Sequence, residues 1–310
     1  MSTGEVEAAF QEFLRRGAYA RDWPAWAAMF TDDATYIEHS LGTFQGRSEI
    51  EQWIVPTMAS VAAMTFSIDW WIVEGARVVF YIWNHLPDPV GGTERYSFPN
   101  VSFLEYAGDG LFRREEDFYN PADAERGVGS WFQAGGAAHT PPDDSLTAIA
   151  DFTPQPVATV FPRQELEQEF GRYVERGAAA VSSGDWAAWA QQFTPDARYF
   201  EHAFGKMRGR DEILAWIVDV MKPFPTMDFP VDWHVIDGNR VAMLCQNRLP
   251  EPPGGGGPYQ FPVLTVLHYA GNGQWSYEED AYNPNEASTT IQRWLDAGGL
   301  LPQGVTLPEP

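Results

Sequence analysis

One motif occurs twice in this chain, and the repeat constrains the fold more than any other feature of the sequence. Tyr-x-Glu-His-x-x-Gly begins at Tyr36 as YIEHSLG and, 163 residues later, at Tyr199 as YFEHAFG. The same offset aligns DWPAWAAMFTDDATYIEH with DWAAWAQQFTPDARYFEH, GRSEIEQWIV with GRDEILAWIV, and REEDFYNP with YEEDAYNP. Only the first helix needs a three-residue adjustment, because Gly17 corresponds to Gly177. The sequence therefore predicts a duplicated domain.

The two copies are each more than a hundred residues long, which is enough to bury a separate core. We expect copy one at residues 1–137 and copy two at residues 163–300. The intervening residues 138–162 are rich in prolines and small residues, which predicts an extended linker. The last residues, 301–310, are typical of a tail.

The composition argues against several kinds of partner. With a net charge of −23, the surface repels phosphate backbones and anionic lipid head groups, so neither nucleic acid nor a membrane is expected. The single cysteine, Cys245, excludes an internal disulfide and a thiolate metal cluster. A signal-peptide pattern and a long apolar run are both absent, so we expect a cytoplasmic protein. Aromatic residues form 15% of the chain, which fits bulky packing or an aromatic-lined pocket for an apolar ligand.

Apolar periodicity predicts the same order of elements in both copies: two helices, a short strand, a helix, four strands and a final helix. In copy one the strands run from MTFSIDWWIVEG to LFRREEDFYNP. Helices followed by antiparallel strands favour an α+β fold. We expect two tandem cone-shaped domains, each a curved antiparallel sheet wrapped around N-terminal helices, with a pocket at the mouth of the cone.

This order, the F-T-x-D-A-x-Y segment and the G-R-x-E-I-x-x-W-I helix resemble the nuclear transport factor 2-like superfamily. Within it the chain is most similar to the SnoaL-like group and more distantly to ketosteroid isomerase. The resemblance covers nearly the whole chain as two copies, and it implies a pocket in each. The superfamily includes isomerases, dehydratases, cyclases, epoxide hydrolases and members without known catalysis. Many of its folds dimerise through the sheet, so duplication would make an intramolecular pseudo-dimer; a homo-oligomer stays open.

Histidines and carboxylates of the repeated segments are the candidate catalytic groups. Placed relative to Gly42 and Gly205, His39 and His202 stand where ketosteroid isomerase has its aspartate base. Histidine titrates near neutrality and could relay protons. The strand is too short to decide whether His or the adjacent Glu faces inward, and duplication also copies structural residues. The catalytic candidates are His39, His202, Glu38, Glu201, Glu116 and Glu279.

Alternation along the last strand places Glu116 and Glu279 on its aromatic face. Desolvation there would raise a carboxyl pKa, whereas the alternative is an outward acidic patch. The same alternation assigns Asp117 and Asp280 to the opposite face.

A second group of residues is predicted to contact a ligand. These are an amide that closes an apolar stripe, a tryptophan on the preceding strand and the motif tyrosine. The amide orients a ligand carbonyl or bonds the backbone, the tryptophan forms core or pocket wall, and the tyrosine stabilises an enolate or alkoxide. The candidates are Asn84, Asn247, Trp70, Trp233, Tyr36 and Tyr199.

These residues predict a cofactor-free acid-base enzyme that acts on a hydrophobic small molecule such as a polyketide, terpenoid or steroid. The reaction would be an isomerisation, dehydration, cyclisation or epoxide opening. Neither copy has a second histidine at ligand spacing, so no metal is expected. The alternative is a non-catalytic module that binds small molecules or pairs its sheets as a pseudo-dimer.

Overall fold

The computed structural model describes residues 2–141 and 159–307. The chain divides into two units, Met1–Pro156 (unit 1) and Val157–Pro310 (unit 2). Most of the predicted linker, residues 142–158, and the last three residues of the predicted tail lie outside the described residues.

Unit 1 has the predicted order of helices and strands, with one additional short strand after the first. Its elements are α1 (Thr3–Leu14), a π-helical turn (Arg15–Tyr19), α2 (Trp23–Ala27), β1 (Phe30–Glu38), β2 (Gly42–Gln45), α3 (Gly46–Ser60), β3 (Thr65–Glu74), β4 (Arg77–Pro87), β5 (Arg95–Gly108), β6 (Leu111–Phe118) and α4 (Pro121–Gln133).

Unit 2 repeats this order, but its first helix is longer and has no π-helical turn. Its elements are α5 (Arg163–Ser183), α6 (Trp186–Ala190), β7 (Phe193–Glu201), β8 (Gly205–Arg208), α7 (Arg210–Met221), β9 (Val231–Asp237), β10 (Arg240–Leu249), β11 (Tyr259–Gly271), β12 (Gln274–Ala281) and α8 (Pro284–Asp296).

Each unit contains a six-stranded sheet, with the order β2-β1-β6-β5-β4-β3 in unit 1 and β8-β7-β12-β11-β10-β9 in unit 2. The predicted α+β fold with two domains is confirmed. The sheets are mixed rather than wholly antiparallel, because β1 lies parallel to β6 and β7 lies parallel to β12. Helix α3 separates β1 from the four-strand meander, so β1 can join the last strand of that meander in the same direction.

The hydrophobic core of each unit lies between the first helices and one face of the sheet. In unit 1, Phe10 of α1 packs 5.1 Å from Phe80 and 5.7 Å from Trp71, measured between ring centroids. Helix α2 is capped by Asp22, whose Oδ1 accepts a hydrogen bond from the Ala25 N–H at 3.1 Å. Within the described part of the chain, no helix is both long and apolar enough to span a bilayer.

In each unit, two β-bulges change which side chains face the core. One lies in β3 of unit 1 and in β9 of unit 2, and the other lies in β6 and in β12. In β12, Trp275 and Tyr277 pair with the adjacent residues Tyr269 and His268 of β11, so Ser276 is an inserted residue. The same irregularity occurs in β6 between Phe112 and Arg114. A single inserted residue reverses the alternation for the rest of the strand.

Candidate active site

Unit 2 contains a cavity of about 520 Å³ between its helices and the sheet. Helices α5 to α8 and strands β7 and β9 to β12 contribute to its wall. The wall is largely apolar, and its aromatic residues are Tyr173, Trp186, Trp189, Tyr199, Phe204, Trp216, Phe224, Phe229, Phe261 and Tyr282. This volume and lining are typical of a site for a small organic molecule.

Four carboxyl groups line the cavity, and three of them, those of Glu201, Glu278 and Asp280, are held by hydroxyl or backbone donors. Tyr199 and Thr265 donate hydrogen bonds of 2.5 Å to the two carboxylate oxygens of Asp280. Tyr173 donates to Oε1 of Glu278 at 2.6 Å. Because Glu278 and Asp280 are two residues apart on β12, both point to the same face of the sheet.

Glu201 is the third of these carboxyl groups, and it lies at the end of β7. Its Oε2 accepts hydrogen bonds from the N–H groups of Ala203 at 2.7 Å and Phe204 at 2.6 Å. The Tyr282 hydroxyl provides a further hydrogen bond to this carboxyl group. The tight turn after the strand creates these donors, because the chain reverses there into β8.

Burial changes the acidity of all three groups. Desolvation raises the pKa of Glu201 to about 7, although hydrogen bonds from Tyr282 and the backbone oppose this shift. Desolvation, followed by the nearby charge of Asp280, raises the pKa of Glu278 well above its ordinary value. Desolvation also raises the pKa of Asp280, against the hydrogen bonds from Thr265 and Tyr199.

Glu278 has one oxygen that no neighbour satisfies. Its side chain is only 2% exposed, and Oε2 has no hydrogen-bond partner among the described residues. Burial and the charge of Asp280 raise the pKa of Glu278, which favours the protonated form of this carboxyl group, and that form can donate a hydrogen bond. A buried polar atom without a partner identifies a position where a ligand could bind.

Of the predicted residues of copy two, Tyr199, Glu201 and Asn247 line this cavity, whereas His202, Glu279 and Trp233 do not. His202 and Glu279 do meet, with Nε2 and Oε1 2.8 Å apart. However, Glu279 alternates with the cavity residues on β12 and therefore lies on the other face of the sheet. The inner face predicted for Glu279 is therefore wrong, because the bulge at Ser276 reverses the alternation. Between His202 and Glu201, which the sequence could not separate, Glu201 is the one that lines the cavity.

β-Bulges also change the faces on which Asp280 and Trp233 lie. Asp280 lines the cavity rather than the opposite face. In β9, Val231 and Trp233 pair with Cys245 and Leu244, so Asp232 is the inserted residue. Trp233 is therefore displaced from the inner face that Val231 occupies.

Unit 1 has counterparts of these three carboxyl groups: Glu38, Glu115 and Asp117 correspond to Glu201, Glu278 and Asp280. The Tyr36 hydroxyl donates to Asp117 at 2.5 Å. Glu38 accepts hydrogen bonds from Tyr119 and from two backbone N–H groups after β1. Desolvation raises the pKa of Glu38 and Asp117, and raises that of Glu115 further.

The histidine pair of unit 1 also lies away from these groups. His39 Nε2 is 3.0 Å from Glu116 Oε1, and Arg114 binds Oε2 at 2.6 Å. Burial opposes ionisation of Glu116, but the hydrogen bond from His39 and the charge of Arg114 outweigh it and lower the pKa. The prediction placed Glu116 on the aromatic inner face and Asp117 on the opposite face, but the bulge between Phe112 and Arg114 exchanges these positions, so Asp117 faces inward and Glu116 does not.

The predicted binding residues of unit 1 have different surroundings from one another. Asn84 donates to the backbone oxygen of Phe98 at 3.5 Å, as in the alternative interpretation of this amide. Trp70 follows a bulge in β3 and packs against Tyr81 on the outer face, with ring centroids 5.9 Å apart. Tyr36 is buried in the aromatic core of the unit.

The sequence did not lead to several of the acidic and tyrosine side chains that line the cavity of unit 2. The repeated E-E-D of REEDFYNP and YEEDAYNP contained a signal, because its first and third acids, Glu278 and Asp280, are the inner ones. The tyrosine of the repeated Y-N-P was not among the candidates, yet Tyr282 binds Glu201. Tyr173 carried no repeat signal, since its counterpart in α1 is Phe13.

Within residues 2–141 and 159–307, no group of three or more His, Cys, Asp or Glu residues is arranged to hold a metal ion. The carboxyl groups of Glu201, Glu278 and Asp280 are instead occupied by tyrosine, threonine and backbone donors.

The sequence model of the SnoaL-like domain matches residues 8–115 and, separately, residues 174–278. Together these segments cover more than half of the chain, which therefore belongs to the SnoaL-like domain family as a tandem duplication. No curated protein sequence matches the chain significantly.

Several solved structures are similar to part of the chain. A hypothetical protein with a ketosteroid isomerase-like fold from Catenulispora acidiphila is 20% identical, covering 41% of this chain and 95% of its own at a TM-score of 0.33. An LEH-like epoxide hydrolase of M. tuberculosis is 20% identical over 42% of this chain and 94% of its own, at a TM-score of 0.34. An NTF2-like protein of unknown function from Burkholderia pseudomallei is 21% identical over 40% of this chain and 97% of its own, at 0.33.

Proposed function

We propose that unit 2 is an acid-base catalyst that transfers protons on a hydrophobic small molecule held in its cavity. One observation carries this proposal: Glu201 lines an apolar cavity and has a pKa raised to about 7 by desolvation. A group that titrates near neutrality can both accept and donate a proton at physiological pH. The reaction class is isomerisation, dehydration, cyclisation or epoxide opening.

Glu201 is suited to act as the general base. Its two backbone donors and Tyr282 hold the carboxyl group in one orientation, so little reorganisation is needed when a proton arrives. The apolar wall excludes water, which keeps the carboxylate reactive towards a weakly acidic C–H or O–H group.

Glu278 is suited to be the complementary acid. Desolvation raises its pKa and favours the protonated form, Tyr173 holds its Oε1, and its Oε2 has no partner among the described residues. The proton can therefore move from this carboxyl group to a substrate atom. Asn247 lines the same cavity and would orient a polar group of the substrate.

The scheme uses only side chains of unit 2 and is proposed as cofactor-free. A cavity of about 520 Å³ has room for a molecule of the size of a polyketide, terpenoid or steroid fragment. His202 and Glu279 are not part of the proposed chemistry, because neither side chain lines the cavity.

For unit 1 we propose the alternative function, a non-catalytic domain. Phe13 replaces Tyr173, so the helix provides no hydroxyl for Glu115. Phe13 instead packs among Trp26, Phe30 and Phe112, at centroid distances of 5.2, 6.1 and 5.4 Å. This close aromatic packing favours a structural role for the interior of unit 1.

The test is a reaction that requires only a base in an apolar site, the ring opening of 5-nitro-1,2-benzisoxazole. The Glu201 carboxylate would take the proton from C3 as the N–O bond breaks and a nitrophenolate forms. We expect kcat/KM to rise with pH to half its maximum near pH 7. Glu201→Gln should lower it at least about 100-fold, because a positioned base contributes this much.

Two further variants make the result decisive. Glu175→Gln, an exposed change on α5, should leave the rate unchanged. Glu38→Gln, the same substitution in copy one, should have a small effect. A Glu201→Gln protein with the wild-type rate, or a loss caused by Glu38→Gln instead, would contradict the proposal.

A further inference from the structure

The charges around the unit 2 cavity are all of one sign. Four acidic residues line it, namely Glu201, Asp228, Glu278 and Asp280. Among the described residues of this lining there is no lysine, arginine or histidine. An anionic ligand would therefore enter without any cationic partner, close to three carboxyl groups that are already poorly solvated.

The wall of the cavity complements positive charge in a second way. Ten aromatic side chains form much of it, and the faces of aromatic rings attract cations through their quadrupoles. Tryptophan gives the strongest such interaction, and Trp186, Trp189 and Trp216 all belong to the lining. A cation that leaves water here would be surrounded by ring faces rather than by hydrocarbon alone.

The deepest carboxyl group provides a defined contact for such a ligand. Glu278 is 2% exposed, and its Oε2 has no partner among the described residues although the residue lines the cavity. Asp228, by contrast, is an exposed acidic residue of the same lining. Acidic side chains thus line the cavity from the exposed Asp228 to the buried Glu278, and they would favour a positively charged ligand over this whole distance.

We propose that the cavity of unit 2 takes a hydrophobic amine, whose nitrogen binds Oε2 of Glu278 while its carbon skeleton lies against the aromatic wall. The inference names the substrate class of the proposed acid-base site and rests on that function. If the amine enters as the free base, the O–H bond of Glu278 breaks and an N–H bond forms. The products are a carboxylate and an ammonium ion, and no other reactant is needed.

A neutral oxygen-containing ligand fits less well. A ketone could accept the proton of Glu278 in a hydrogen bond, but it would leave the negative charge of Asp280, which acts on both Glu278 and Glu201, uncompensated. An ammonium ion satisfies the unpartnered oxygen and offsets that charge at the same time. This difference makes the charge of the ligand, rather than its shape, the property to test.

The experiment compares three ligands that share a naphthylmethyl group. They are N,N-dimethyl-1-naphthylmethylamine, the neutral ketone 1-(1-naphthyl)propan-2-one and the anionic 1-naphthaleneacetic acid. Isothermal titration calorimetry at pH 7 with the full chain should show that the amine binds at least about tenfold more tightly than the ketone, with the acid weakest. About tenfold corresponds to one charge-assisted hydrogen bond at the lower end of its range.

Glu278→Gln should remove most of the amine preference and change ketone affinity much less. The matched variant Glu115→Gln, in unit 1, should keep the wild-type preference. Equal affinity for amine and ketone, tighter binding of the acid, or no binding of any of the three would overturn the inference.

The outcome is separable from that of the proposed function. A lost amine preference together with a ring-opening rate that still depends on Glu201 would leave the catalyst in place and remove only its substrate class. If Glu278→Gln does not fold, the discrimination between amine and ketone by the wild-type protein still decides.

Discussion

Units 1 and 2 share a fold and a set of inner carboxyl groups, but they differ in the space in front of those groups. In unit 1 the ring of Trp26 lies against Gly17, only 2.5 Å from where a Cβ atom would stand. Gly177, the counterpart in unit 2, has nothing within 4 Å of the equivalent position and lines the cavity. Duplication has therefore preserved the acids and changed their surroundings.

The first helix accounts for this difference. In unit 2, α5 continues to Ser183, and Gly184 ends it in the left-handed conformation. In unit 1, α1 ends at Leu14 and a π-helical turn follows, so the chain reaches α2 with three fewer residues. A shorter connection favours direct packing of α2 on the helix, which is what Trp26 and Gly17 show. The connection between the first two helices is thus shorter in unit 1, where the two helices pack directly, and longer in unit 2, where they border the cavity.

The largest expected effect concerns pH and Glu201. The folded protein holds the Glu201 proton up to about pH 7, whereas an unfolded glutamate releases it near pH 4.3. Because the folded state binds this proton more tightly, stability falls as the pH rises between these two values. From pH 5 to pH 8 we expect Glu201 alone to lower the free energy of unfolding by about 2.5 kcal/mol.

Urea unfolding at both pH values checks this expectation. In Glu201→Gln, the part of the pH dependence that comes from Glu201 should be absent. In Glu175→Gln, an exposed change on α5, the free energy of unfolding should depend on pH as it does in the wild type. The variant should not become independent of pH, because Glu278, Asp280 and their unit 1 counterparts also have raised pKa values. Parallel profiles for wild type and Glu201→Gln would mean that Glu201 is not an acid of pKa near 7.

Much of the fold could be predicted from the sequence. The offset repeat and the change from helical to strand periodicity indicated two α+β domains, because these patterns depend on many residues at once. The parallel pairing of β1 with β6 was missed, since it joins strands that are distant in sequence. A local pattern contains no information about which distant strand is the neighbour.

The candidate site was predicted only in part. The motif led to Tyr199 and Glu201, and the apolar stripe led to Asn247, all of which line the cavity. His202 and Glu279 were also among the candidates and do contact each other, but they do not line the cavity. A bulge adds one residue without an evident sequence signal, and every later side chain on the strand changes face.

The second prediction tests the hydroxyl group of Tyr173, which its counterpart Phe13 in unit 1 lacks. Tyr173→Phe removes the donor to Oε1 of Glu278 and leaves a second buried oxygen without that partner. The loss should lower the free energy of unfolding by about 2 kcal/mol. Thermal unfolding measured by circular dichroism would detect it, and an unchanged Tm would contradict the assigned hydrogen bond.

The reciprocal change in unit 1 sharpens the comparison. Phe13 lies 5.4 Å from Phe112, much as Tyr173 lies 5.8 Å from Trp275. Phe13→Tyr should therefore direct a hydroxyl towards Glu115, whose Oε2 has no partner among the described residues. We expect a gain of up to about 1 kcal/mol. A loss of stability comparable with that of Tyr173→Phe would show that the two interiors are not built alike.

The smallest expected effects come from adding one methyl group to each of the equivalent glycines. Gly17→Ala places its Cβ against the Trp26 ring, and the overpacking should exceed the gain in helix propensity and destabilise the protein by about 1 kcal/mol. Gly177→Ala meets open space and should stabilise helix α5 by about 0.5–1 kcal/mol. The same substitution is thus expected to have opposite signs in the two copies. Urea unfolding of both variants measures this difference, and effects of the same sign would remove the packing contrast between the two units.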